Sequence, residues 1–137
     1  MSIYVDNEPF CVEVKYQEVC DKDGRVVGVK ILPLSASGPG VEHCVCDAVG
    51  RDFDNMSTVL ESCSAINHIT GNPMLQVSKF YKMIFLRFFR SWNLYEDAES
   101  ETSLPITLET IGAVHDKVIR ALVRKWLALT DGNVEED

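Results

Sequence analysis

The chain has 137 residues, one domain's worth, and its 46% hydrophobic and 25% charged composition excludes wholesale disorder. A formal charge of −8 repels a phosphate backbone and argues against a general nucleic-acid binder. No apolar run approaches the roughly 18–20 residues of a membrane span, and the start lacks a basic n-region and a long apolar h-region, so a cytoplasmic domain is expected.

In chain order, Phe10-Cys11-Val12-Glu13-Val14-Lys15-Tyr16 alternates apolar and polar residues, the period of a strand, with Val12, Val14 and Tyr16 on one face. Asp21-Lys22-Asp23-Gly24 reads as a turn, and residues 25–32, rich in β-branched side chains, as the return strand. Residues 1–34 are thus predicted to contain a β-hairpin. A hairpin is marginal alone in water and must pack on later helices or on another chain's edge. Residues 33–40 carry Pro33, Gly38, Pro39 and Gly40 and form a breaker-rich joint. Residues 41–50 fit either a strand or a short helix.

A helical region is predicted over 54–130. Met56, Val59, Leu60, Cys63, Ile66 and Asn67 fall at helical spacing, with Asp54 or Asn55 as N-cap and Gly71-Asn72-Pro73 as terminator. Residues 74–92 carry Val77, Phe80 or Tyr81, Ile84, Phe85, Phe88 and Trp92 as a broad apolar stripe, the pattern of a core helix. A polar, acidic connection follows over 93–104. Thr107 is the expected N-cap of a last helix, with Glu109 in its first turn where the helix dipole favours a carboxylate. Ile111, Val114, Val118, Leu122, Trp126 and Leu129 keep heptad-like spacing along that helix. Asp131-Gly132-Asn133 stops it, and residues 131–137 are a frayed acidic tail. The whole chain, 1–137, reads as one α+β domain: an N-terminal β-hairpin followed by about three α-helices in a small bundle.

The chemistry-bearing residues are sparse. Five cysteines (Cys11, Cys20, Cys44, Cys46 and Cys63) are odd in number and irregularly spaced, which fits reduced, packed thiols rather than a disulfide framework. His43-Cys44-Val45-Cys46-Asp47 with Cys63 and His68 supplies zinc-type ligands, but the first pair is C-x-C and the five-residue offset of the second suits one helical face poorly. Packed core thiols are the simpler reading. A cysteine nucleophile would need His43, His68 or His115 as base, and no local signature surrounds any cysteine. Gly38-Pro39-Gly40 lacks the Gly-Lys-Ser/Thr of a phosphate loop, and Asp21 and Asp23 are turn formers. No catalytic residue, metal or cofactor is expected.

What remains is surface. Residues 62–95 contain no acid but hold Lys79, Lys82, Arg87 and Arg90, whereas residues 96–101 hold four acids and no base. Such a basic face is either a solvated helix side or a site for an acidic protein partner. Phe80, Tyr81, Phe85, Phe88, Phe89 and Trp92 cover well over half of one helix's circumference. That helix is either central to the core or completed by a partner.

The run Ser91-Trp92-Asn93-Leu94, the acidic turn Tyr95-Glu96-Asp97-Ala98-Glu99 and the helix start Leu104-Pro105-Ile106-Thr107-Leu108-Glu109-Thr110-Ile111 resemble the tail assembly chaperones of long-tailed bacteriophages over about residues 80–129. The resemblance implies a non-enzymatic protein of the host cytoplasm. Such proteins coat the tape-measure protein, keep it soluble and recruit tail-tube subunits; self-association, weak or as a ring or spiral coat, is expected with it. On that reading Tyr81, Phe85, Phe88, Phe89 and Trp92 present an apolar partner-binding surface, with Lys79, Lys82, Arg87 and Arg90 selecting the partner by charge. The alternatives are a permanent virion or connector component, or a small metal- or thiol-dependent intracellular protein.

Overall fold

The computed structural model describes residues 8–66, 68–95 and 102–130. The predicted hairpin is present: β1 (Phe10–Cys20) pairs antiparallel with β2 (Val26–Leu32). Its turn is held by Asp21, whose Oδ1 accepts from the backbone N–H groups of Asp23 (2.8 Å) and Arg25 (3.0 Å), while Gly24 takes a left-handed φ of 83°.

The open segment is resolved as β3 (Val41–Ala48), antiparallel to β1 on the side away from β2. The register sets Val12 opposite Cys46 and Val14 opposite Cys44, and period two then turns all four inward, where each is buried. Tyr16 follows on the same face and is half-buried.

The helical region departs from expectation in three places. First, α1 (Phe53–Cys63) is capped by Asp52, not by Asp54 or Asn55. Both Asp52 carboxylate oxygens accept from Asn55, one from its backbone N–H (2.8 Å) and one from its side-chain amide (2.7 Å). The helix stops at Cys63. Ile66 lies in a short ribbon of β4 (Ser64–Ile66) and β5 (Pro73–Leu75), and Asn67 lies outside the described residues.

Second, the expected helix over 74–92 is only α2 (Val77–Phe88). Phe89 begins β6 (Phe89–Trp92), which pairs with β3 and completes a four-stranded antiparallel sheet in the order β2-β1-β3-β6. Phe89 and Trp92 are three apart yet both buried, because a register shift at Asp47/Ala48 bulges the pairing.

Third, the last helix is two. Thr107 caps α3 (Leu108–Ala113) as predicted, in a reciprocal capping box with Thr110. The chain then turns extended at Val114, and the Nδ1 of His115 accepts from the Lys117 N–H to cap α4 (Asp116–Leu129). Ile111 and Val118 both reach the core across the break, while Leu129, the last member of the stripe, is exposed.

The architecture is α+β, but with a four-stranded sheet, a two-stranded ribbon and four helices among the described residues rather than a hairpin and a three-helix bundle. The predicted stop at Asp131-Gly132-Asn133, the tail and the acidic run 96–101 lie outside the described residues. Among those described, no helix is long and apolar enough to cross a membrane.

Candidate partner-binding surface

The aromatic residues expected at the surface are mostly the core. Phe85, Phe88, Phe89 and Trp92 are each at most 3% exposed. Because α2 runs straight into β6, the last turn of the helix and the first residues of the strand face the same interior. Phe85 stacks on Phe89 at 4.2 Å and leans on Trp92 at 5.4 Å, and Phe88 stacks on Trp126 of α4 at 4.6 Å. Both indoles are satisfied: Trp92 Nε1 donates to the Leu104 carbonyl (2.7 Å) and Trp126 Nε1 to that of Val49 (2.8 Å). Of the two readings open for this stripe, the central helix is the one that holds. These four rings therefore cannot form the exposed surface assigned to them.

The other five candidates do reach the surface, but not as one face. Tyr81 is half-buried between α2 and α4. Lys79 and Arg90 are exposed, Lys82 is half-buried, and Arg87 turns to α1, where it donates to Asn55 Oδ1 (2.9 Å).

The uncovered apolar surface lies elsewhere. On α1, Phe53, Met56 and Leu60 stand at i, i+3 and i+7, the spacing of a helix seam; Phe53 is 84% exposed and Leu60 is exposed, while Met56 is partly buried against the core. Together with Arg51, Asp52 and Ser57 they line a groove of about 430 Å³. Ile66, Met74 and Leu75 on the β4–β5 ribbon and Val77 at the start of α2 are also exposed. Sequence reasoning missed this face because Met56 and Leu60 fall in the same helical period as Val59 and Cys63, which do pack inward, and because Phe53 precedes the predicted helix start. The available signal was excess: eleven residues of α1 carry two apolar stripes, and a surface helix buries one.

The thiol and imidazole groups separate rather than converge. Cys44 and Cys46 point inward with their sulfurs 3.9 Å apart, and Cys63 is also buried, whereas Cys11, Cys20 and His68 are exposed. The hydrogen bond with Cys44, reinforced by burial, pushes the Cys46 thiol far up and keeps it protonated. His43, one residue out of phase, points away from the core, and its Nε2 lies 2.7 Å from Glu13 Oε1. Among the described residues, no three His, Cys, Asp or Glu side chains are grouped to hold a metal ion.

The hydrogen bond from His43 holds the Glu13 carboxyl below its ordinary value of 4.5. A carboxyl depressed in the folded state contributes its stabilisation above the unfolded value and loses it as pH falls through the folded one. An NMR titration is expected to place Glu13 below ordinary glutamates and, in His43→Ala, back among them. An unmoved Glu13 midpoint in that variant would show the pair to be inert.

No protein-family model, no curated protein and no solved structure matches this chain.

Proposed function

We propose that this chain is a tail assembly chaperone of a long-tailed bacteriophage, a non-enzymatic protein working in the host cytoplasm. It binds the tape-measure protein, keeps it soluble and recruits tail-tube subunits while associating weakly with copies of itself. The observation that carries the reading is the exposed pair Phe53 and Leu60 on α1, with the partly buried Met56 between them at the floor of the groove. A long apolar helix needs a carrier with an apolar groove of helical pitch, and a seam at i, i+3 and i+7 matches an amphipathic helix laid along it. The resemblance over residues 80–129 supplies the partner's identity. In this reading the resembling residues build the scaffold, and α1 makes the contact.

The test is co-expression with the tape-measure protein encoded alongside. The wild-type chain is expected to keep that protein soluble and to co-purify with it. Phe53→Ser/Leu60→Ser is expected to reduce the recovered complex by about tenfold or more, the effect of removing two anchors of an interface. The circular dichroism of the variant should be unchanged, since both side chains are exposed. Failure of the wild-type chain to co-purify would overturn the function. Equal recovery with the variant would overturn the surface. Stoichiometric presence in finished particles would replace the chaperone by a virion component.

A further inference from the structure

The charge of this molecule is segregated. Helices α2 and α4 carry seven basic residues and, among acids, only Asp116, on a chain of formal charge −8. Two of the seven are occupied elsewhere: Arg87 bonds to Asn55, and Lys125 donates to the Glu13 carbonyl at 2.7 Å. Three others, Lys117, Arg120 and Arg124, stand at i, i+3 and i+7 and so share one side of α4.

Tyr81 of α2 organises two of them. The guanidinium carbons of Arg120 and Arg124 lie 5.3 and 5.8 Å from its ring centroid, and Arg124 Nε donates to the phenol oxygen at 3.2 Å. Arg120 also donates to Ser78 Oγ (3.4 Å) and forms an i, i+4 ion pair with Asp116 (2.6 Å), in which its buried Nε makes no hydrogen bond. Two long, rotamer-rich side chains are thus held before any ligand arrives, which lowers the entropy lost on binding. Among the described residues, Arg124 uses only Nε as a donor, so both terminal nitrogens of its fork remain available.

We propose that Tyr81, Lys117, Arg120 and Arg124 bind a carboxylate-rich segment of a partner protein. A planar guanidinium matches a carboxylate through two parallel hydrogen bonds, and stacking on the phenol fixes the plane in which it does so. A nucleic-acid strand fits less well. The cluster is short, Asp116 sits within it, and the surrounding acidic molecule repels a continuous polyanion. A peptide whose carboxylates are confined to a few residues lays less charge over that acidic surface and meets Lys117, the terminal nitrogens of Arg124 and an Arg120 already shared with Asp116. This site is separate from the α1 groove and stands whether or not the groove binds a tape-measure helix.

The probe is a fluorescein-labelled peptide carrying three adjacent glutamates flanked by glycine and serine, followed by fluorescence anisotropy, with oligothymidylate as the comparison polyanion. Saturable binding that weakens with salt is expected for the wild-type chain. Arg120→Gln/Arg124→Gln is expected to raise Kd by about tenfold or more, the scale of losing one charge-assisted hydrogen bond. Lys22→Gln, in the exposed hairpin turn, should leave Kd unchanged. Should the double variant lose its circular dichroism signal, Lys117→Gln carries the test, with an expected loss of about threefold. No saturable binding, tighter binding of oligothymidylate, an equal loss in Lys22→Gln, or occupation of the cluster by a second copy of the chain in sedimentation would each overturn the proposal.

Discussion

Phe88→Ala is expected to destabilise the fold by about 3–5 kcal/mol, the range for truncating a buried aromatic ring. Phe88 is 1% exposed and stacks on the fully buried Trp126 at 4.6 Å, at the point where α2, α4 and the sheet meet. The surrounding side chains hang from three separate elements, so the space left behind closes poorly. Urea denaturation of the wild type and the variant measures the loss. A value below about 1 kcal/mol would mean that the interior relaxes around the gap. A charge at this position has a harsher outcome. Phe88→Asp places an unpaired carboxylate among aromatic rings and is expected to leave the chain unfolded. A binding experiment on that substitution, alone or with Arg87→Glu, would therefore report on folding rather than on recognition.

The second large effect is expected at Asn93. Its side-chain oxygen accepts from the Val45 N–H (2.9 Å), its amide donates to the His43 carbonyl (2.9 Å), and its own backbone N–H donates to the Val45 carbonyl (3.0 Å). β6 is four residues long, and Asn93 prolongs its ladder with a side chain that imitates a backbone unit. Asn93→Ala removes both side-chain bonds and strips two peptide groups of β3 of their partners. Both bonds are solvent-exposed, so water takes the place of the lost amide and the expected cost is about 0.5–1.5 kcal/mol for each bond removed. Amide hydrogen exchange gives the sharper readout: the Val45 N–H should exchange faster in the variant, and an unchanged rate would show the bond to be dispensable. The Trp-Asn step that anchors the family resemblance thus has a structural account. Trp92 fills the core and ties down Leu104, while Asn93 ties the edge of the sheet.

How legible each element was depended on how many structures its pattern permits. Alternation through Val12, Val14 and Tyr16, with Asp-Gly at the turn, fits only a hairpin, and the hairpin is there. Thr107 was readable as an N-cap because its hydroxyl meets the backbone three residues on, a purely local bond. The break at Val114 was not readable, since Ile111, Val114, Val118 and Leu122 keep an unbroken helical spacing and the cap that restarts the helix is a histidine, an uncommon residue for that role. β6 was hidden for a related reason. Phe89 and Trp92 are as apolar as the helix before them, and a short apolar run reads equally well as more helix or as a buried strand. Only pairing with β3, more than forty residues away, decides it. The candidate site suffered from the same ambiguity. An excess of aromatic residues shows that something must be covered, but not whether the cover comes from the chain's own sheet.

The junction between α2 and β6 contains no linker: Phe88 closes the helix and Phe89 opens the strand. A strand joined by a flexible turn can slide by one residue and invert its faces, whereas this one can do so only by unwinding the turn that carries Phe85 and Phe88. Alignment along that border of the sheet is therefore enforced by the helix acting as a clamp. Thermal loosening of the border and of the helix end should consequently occur as a single event.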